Sequence, residues 1–330
     1  MLVERNLEHY EHQKSSRVPF RLAIAQALCR SLPPVLGQRL RSVVYPWSAA
    51  LRHSADYVVR CQTGSLFTAN TGDFTCYPIS VHGYNTFRNW AIAIAVVHPG
   101  DTIIEVGANT GTETMGFSDI VGPSGTVIAF EPLPRNLKIL DENLRLNKTR
   151  NVTVLPCALG NGRGTAQFQL PTSTNSGIGH LKSSGDSADA ITVEVETLDN
   201  LAERIGPSKL IAMDAEGAEL LVLRGGRNYV DRYKPAIILE AQKVLLDRLG
   251  LSLGALRGEL TGLGYELFLI ERFGLKRLGP AVPVEQYQGD WLCIPSGRTD
   301  MVNAIRSSLW RCALLPCISG LNPMTRTARL

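Results

Sequence analysis

In the middle of the chain the apolar positions change period again and again. Short unbroken apolar runs, TIIEVG at 102–107, TVIAFE at 126–131 and VTVLPC at 152–157, predict buried strands. Between them, residues 112–120 and Pro134 to about Asn147 follow helical spacing, the second with Leu137, Leu140, Leu144 and Leu146 as its apolar side. The alternation continues with a strand at 191–196, a short helix at 197–205, a strand at 209–214 (KLIAMD), a helix from about Ala218 and a strand at 235–240 (PAIILE). Strand and helix in strict turn predict a doubly wound, Rossmann-like α/β sheet with helices on both faces. GYELFLI at 264–270 and WLCIP at 291–295 are expected to close it as antiparallel strands.

The flanks read differently. Residues 18–55 predict amphipathic helices broken at Pro33-Pro34 and near Pro46, and 56–82 are β-rich around a turn at Thr63-Gly64. Residues 84–97 return to a helical pattern that stops at Pro99-Gly100. The expected organisation is an N-terminal helical and β-hairpin cap (1–82), a catalytic α/β domain (83–295) and a basic, partly apolar tail (296–330). Thr172 to Ala190 read as a long loop, the kind of segment that often carries function.

Composition narrows the classes. With 44% hydrophobic and 19% charged residues among 330, the chain can bury a large core. Its charge is uneven: residues 1–60 carry nine Lys and Arg against four acids, and 296–330 carry five Arg against Asp300 alone. Such ends suit solvated helices or peripheral contact with an anionic membrane surface. The central region is not basic and has no Asn-Pro-Pro-Tyr-like motif, so no nucleic-acid partner is expected. The seven cysteines include no C-x-x-C pair and fit buried free thiols rather than a metal or disulfide framework. No run is long enough to span a bilayer, and the first fifteen residues lack a signal-peptide core. A cytoplasmic location is the expectation, with oligomeric state left open.

The candidate chemistry starts at IIEVGANTG, 103–111. A strand runs into a Gly-containing turn that opens a helix, which suits either a dinucleotide or S-adenosyl-L-methionine. A dinucleotide fingerprint needs glycine where this chain has Asn109 and Thr112. Glu105, just before the turn, would repel a diphosphate but attract an ammonium group. Glu131, ending the next strand, can accept both ribose hydroxyls of either ligand. Asp214 and Glu240 end two further strands, and Glu216 follows Asp214 closely. Ligands of open α/β sheets bind at these carboxyl ends.

Together these pieces resemble the FkbM family of S-adenosylmethionine-dependent methyltransferases. The likeness covers roughly residues 81–270 and rests on EVGANTG (105–111), AFEPLPRNLKILDENLRLN (129–147), VLPCALGNGRGT (154–165), VETLDNL (195–201), MDAEGAELLVLRGG (213–226), IILE (237–240) and GYELF (264–268). It implies the seven-stranded methyltransferase sheet and S-adenosyl-L-methionine as cofactor. Gly107, Ala108, Asn109 and Gly111 would line its methionine end, Glu131 would hold the ribose, Cys157, Ala158 and Leu159 would lie near the adenine, and Pro132 would also contact the cofactor. Asp214 and Glu216 would sit beside the methyl group and the acceptor, a hydroxyl of a sugar, glycolipid or secondary metabolite. His180, in the long loop, is a further candidate base because its ordinary pKa is near neutral. No metal is invoked. The chain departs from the family pattern with Glu at 105 for Asp, Ala215 for Val, and Asn85 where a Glu would fall. The alternatives are an NAD-linked oxidoreductase or epimerase, for which no Tyr-x-x-x-Lys pair is found, and an inactive methyltransferase-like binding module.

Overall fold

The computed structural model describes residues 18–52, 54, 56–170, 190–279 and 283–325, with only the backbone of 180–181. The N-terminal section forms α1 (Phe20–Arg30), α2 (Pro34–Val44), α3 (Trp47–Arg52), a hairpin of β1 (Asp56–Arg60) and β2 (Leu66–Asn70), α4 (Cys76–His82) and α5 (Phe87–Val96). The central section contains β3 (Thr102–Val106), α6 (Thr114–Val121), β4 (Thr126–Phe130), α7 (Pro134–Leu146), β5 (Val152–Leu155), β6 (Ala158–Leu159), β7 (Gly164–Gln169), β8 (His180–Leu181), β9 (Ala190–Glu196) and α8 (Leu198–Ile205). It continues through β10 (Leu210–Met213), α9 (Glu219–Gly225), α10 (Arg227–Tyr233), β11 (Ala236–Ala241), α11 (Lys243–Arg248), α12 (Leu253–Gly262), β12 (Tyr265–Glu271), β13 (Gly274–Arg277) and β14 (Gly289–Pro295), and ends in α13 (Thr299–Leu314).

The main sheet has eight strands in the order β13-β12-β14-β11-β10-β3-β4-β5. The order reverses between β3 and β10, so a crevice opens at their carboxyl ends. Two expectations are corrected here. The sheet gains an eighth strand, because β12 turns back at Arg272-Phe273 into β13 and so pairs its outer edge. The added β13 and β14 run against the central strands, but β12 does not: both β11 and β12 pair antiparallel with β14, which makes β12 parallel to β11.

Alternation divides the core. Ile103, Val127 and Leu210 face one side, where Trp90, Ile92, Ile305 and Leu309 of α5 and α13 cover them. Their neighbours Ile104, Ile128 and Ile211 face the other, under Leu220, Leu223, Leu256 and Leu260 of α9 and α12. Each such buried side chain stabilises the fold by about 1.5–3 kcal/mol. The first cluster also takes in Val59, Phe67 and Ile79, so the hairpin and α4 share a core with the sheet. The C-terminal segment docks as α13, with Ser308 Oγ donating to Ala91 O at 2.7 Å. Among the described residues no helix is long and apolar enough to cross a membrane.

Two local readings change. Residues 76–82, expected within a β-rich stretch, form α4, started by the Asp73 carboxylate accepting from Thr75 N (2.8 Å) and Cys76 N (3.2 Å). Helix α7 does not bury a leucine stripe; its buried residues are Asn136, Leu140 and Asn143, while Leu146 is exposed. The reason is the free edge of β2. Asn147 Oδ1 accepts from Leu66 N and its Nδ2 donates to Leu66 O, both at 2.7 Å. Asn143 Oδ1 accepts from Thr68 N at 2.8 Å, and its Nδ2 donates to Thr110 O at 3.1 Å. The asparagine amides stand in for a neighbouring strand. All seven cysteines are free.

Candidate active site

The turn after β3 is tightly constrained. Gly107 has φ 83°, and a Cβ there would lie 2.1 Å from the backbone oxygen of Asp214, so only glycine fits where the turn crosses the end of β10. Gly107 N and Ala108 N both donate to Phe130 O, at 3.0 and 2.9 Å. Asn109, held left-handed at φ 51°, donates its N–H to Glu131 Oε2 at 2.8 Å, and Gly111 N donates to Ala108 O at 2.8 Å. These four N–H groups are therefore spent inside the protein and are not offered to a phosphate.

Above the turn lies a cavity of about 360 Å³. Glu105 lines it from β3, Glu240 from β11, and Glu131 and Asp214 from just past β4 and β10; Glu113, Glu216 and Asp290 bring the carboxylates among the described residues to seven. Among the described residues no Lys, Arg or His lines it. Among the described residues no group of three or more His, Cys, Asp or Glu is placed to hold a metal ion.

The acids differ in role. Glu131 is buried and accepts three bonds: Asn109 N, Leu133 N at 2.9 Å and Asn136 Nδ2 at 3.3 Å. Burial still pushes its carboxyl up to about 7. Glu105 is 5% exposed and its Oε2 has no partner. Burial, aided by the charge of Glu131, pushes it up to about 8. Glu113 accepts from Thr86 N at 3.2 Å and leaves Oε2 unpartnered; burial raises it well above the carboxylate range. Asp214 is open to the cavity yet surrounded by protein atoms, so that crowding and then Glu240 and Glu216 raise it well above its ordinary value. Glu216, left-handed at φ 50°, is pushed up to about 8 by burial and by Glu240. Glu219 turns away: its carboxylate accepts from Ala215 N (3.0 Å) and Gly217 N (3.3 Å) and shapes the loop that presents Asp214 and Glu216.

Of the residues marked in the sequence, Glu105, Gly107, Asn109, Glu131, Pro132, Cys157, Ala158, Leu159, Asp214 and Glu216 all line this one cavity. Ala108 and Gly111 do not: Ala108 packs beneath the turn with Ala129 and Leu140, and Gly111 sits against Leu140. His180 lies on β8 opposite Gln169, but its side chain, like most of the 172–190 loop, falls outside the described residues. Burial pushes the Cys157 thiol up to about 11, which keeps it neutral.

Sequence reasoning missed several lining residues. Glu113 reads as an ordinary residue of a helix start. Asp290 reaches the site only because β14 pairs it with Glu240, and Arg88 holds it from behind at 3.3 Å. Phe74, Thr75, Pro78, Thr86 and Asn89 come from the N-terminal section, which carries no readable code; Asn85 lines the cavity beside them.

An open sheet of this strand order, with an acid-lined crevice and no phosphate cradle, defines the S-adenosyl-L-methionine-binding α/β methyltransferase class. Residues 105–267 match the methyltransferase FkbM domain, and this match supports S-adenosyl-L-methionine as the cofactor. Among solved structures the chain is similar to a methyltransferase FkbM from Methylobacillus flagellatus KT, with 16% identity and a TM-score of 0.41 over 83% of this chain and 58% of that one. It is also similar to Aeropyrum pernix fibrillarin with natively bound S-adenosyl-L-methionine, with 14% identity and a TM-score of 0.36 over 60% and 67% of the two chains. A third is an S-adenosylmethionine-dependent O-methyltransferase from Thermotoga maritima, with 14% identity and a TM-score of 0.32 over 63% of each chain. The chain thus spans 58% of the length of the first of these structures. No curated protein matches it.

Proposed function

We propose that this protein methylates a hydroxyl group of a sugar, glycolipid or secondary metabolite that carries no anion near the reacting centre. One observation carries the reading: among the described residues, seven carboxylates and no cationic side chain line the cavity. That donor set fits a ligand bearing an ammonium and a sulfonium, and it disfavours a diphosphate. The unpartnered Oε2 of buried Glu105 fits the same demand for a cationic hydrogen-bond donor.

When bound, S-adenosyl-L-methionine supplies an electrophilic methyl group. The chain's own residues do the rest. Gly107 and Asn109 would line the methionine end, Glu131 would accept from the ribose, and Cys157, Ala158 and Leu159 would flank the adenine. Glu216 takes the hydroxyl proton, and Asp214 orients the acceptor beside it. A base with a pKa near the working pH is the most effective, and Glu216 is held there. His180 is the remaining candidate base. Residues 18–82 act as a cap that supplies Phe74, Thr75 and Pro78 to the acceptor side.

Calorimetry with S-adenosylhomocysteine and with NAD tests the reading. Binding of the first alone is the expected result, and binding of NAD alone would overturn it. Transfer of labelled methyl groups into a host extract then reads the acceptor class, which mass spectrometry of the labelled product identifies.

A further inference from the structure

The described part of the N-terminal section has an unusual surface. Residues 18–55 contain Arg21, Arg30, Arg39, Arg41 and Arg52 and no Asp or Glu. Helix α1 buries Leu22, Ala25 and Cys29, yet its opposite side shows Phe20, Ile24 and Leu28 at four-residue spacing. Helix α2 packs against α1 and repeats the arrangement, burying Pro34, Val35 and Gly37 and exposing Leu36, Arg39 and Val43. Phe20 is 79% and Val43 78% exposed, with Leu28 and Leu36 near half. Arg21 and Arg39 stand exposed beside these side chains. Helix α3 adds exposed Leu51 and Arg52.

Large aliphatic side chains are unfavourable in water, and a contiguous set of them marks an interaction surface. The charge narrows the occupant. A second copy docked face to face would bring arginine against arginine, and the described residues of α1, α2 and α3 offer no acid to offset it. A nucleic acid would match the charge but give Ile24, Leu28, Leu36 and Val43 nothing apolar to enter. An anionic bilayer satisfies both requirements, since arginines meet lipid phosphates while the aliphatic side chains enter the acyl boundary.

The same surface leads to the active site. Trp47, the first residue of α3, packs edge-on against Phe74 at 5.7 Å and against Tyr77 at 5.2 Å. Phe74 lines the carboxylate cavity and is itself 59% exposed. We infer that α1, α2 and α3 seat the protein on an anionic membrane surface, so that the cavity receives the polar head of an acceptor whose apolar part stays in the bilayer. The choice of acceptor rests on the proposed methyl transfer; the membrane contact does not.

The test is sedimentation of the full chain with vesicles of phosphatidylcholine, alone or mixed with phosphatidylglycerol. Sedimentation with the mixed vesicles and little with phosphatidylcholine is the expected result. Each arginine near an anionic surface contributes roughly fivefold, so Arg21→Gln with Arg39→Gln should weaken partition by roughly 25-fold. Phe20→Ser with Val43→Ser should also weaken it strongly. Both pairs lie on exposed positions, and unchanged melting and S-adenosylhomocysteine binding will show that the fold is intact. No sedimentation with mixed vesicles, or sedimentation indifferent to both pairs, would overturn the inference. So would a dimer dissolved by Phe20→Ser with Val43→Ser, or arginine-dependent binding to RNA without binding to vesicles. S-adenosylhomocysteine calorimetry reads the proposed methyl transfer separately, so either reading can fail while the other stands.

Discussion

Glu131→Gln gives the sharpest test of the site, because it changes charge without changing size. Three donors converge on this carboxylate: Leu133 N and Asn136 Nδ2 on Oε1, and Asn109 N on Oε2. A glutamine that keeps its oxygen on the Leu133 side turns its own NH2 toward Asn109 N. That buried N–H then loses its acceptor, at a cost of about 1–3 kcal/mol. Asn109 also loses the bond that holds its left-handed backbone. Melting should therefore fall by roughly 2–10 °C. On the proposed ribose contact, replacing the carboxylate further removes a charge-assisted bond, about 1.5–3 kcal/mol. The S-adenosylhomocysteine Kd should rise roughly ten- to hundredfold, read by calorimetry at neutral pH. Glu203→Gln, on an exposed side chain paired with Arg232, is the control. A folded Glu131→Gln protein that binds S-adenosylhomocysteine as tightly as the parent would show that Glu131 does not meet the ligand.

The buried acids also set a pH dependence. Glu105 and Glu216 are raised to about 8, and Glu131 and Glu219 to about 7, from an unfolded value near 4.3. A raised carboxyl pKa means the folded chain holds more protons, so this contribution is complete below about pH 4.3 and lost as pH rises toward 8. Melting of the ligand-free chain should fall between pH 5 and 8, and S-adenosyl-L-methionine should restore more of it at pH 8 than neutral S-adenosylhomocysteine; a flat profile would contradict the charge reading. Gly107→Ala places a Cβ 2.1 Å from the Asp214 oxygen at φ 83°, so it should abolish S-adenosylhomocysteine binding and lower melting. Gly162→Ala, with nothing within 4 Å, should leave both unchanged. Glu216→Gln should cut methyl transfer by roughly 10²- to 10⁴-fold while S-adenosylhomocysteine affinity stays within a few fold; undiminished transfer would move the base to Asp214 or His180.

Much of the site was legible because parallel strands buried on both faces read as plain apolar runs, and the acids that end them stand out. Glu105, Glu131, Asp214 and Glu240 are each the first charge after such a run, and the sheet brings those four ends together. Asp290 was illegible because its place depends on the register of β14 against β11, fixed by long-range pairing. The buried side of α7 misled for a related reason. Leucine spacing predicts an apolar contact, yet the helix meets the bare backbone of β2, where amides bond and leucines do not. The extra strand β13 depends on a short turn of few strong signals, and the residues contributed by α4 and α5 belong to no motif of the central sheet.

The single amide of Asn143 touches two backbones at once, the hairpin at Thr68 and the cofactor turn at Thr110. A buried amide bonded on both sides transmits displacement, because slack at either end would strand a polar group away from water. Anything that steadies the hairpin from outside therefore also steadies the loop that clasps the donor. Linkage makes the relation mutual: on the proposed reading, a chain whose hairpin is held should retain its methyl donor more firmly than one whose hairpin is loose, and bound donor should in turn steady the hairpin.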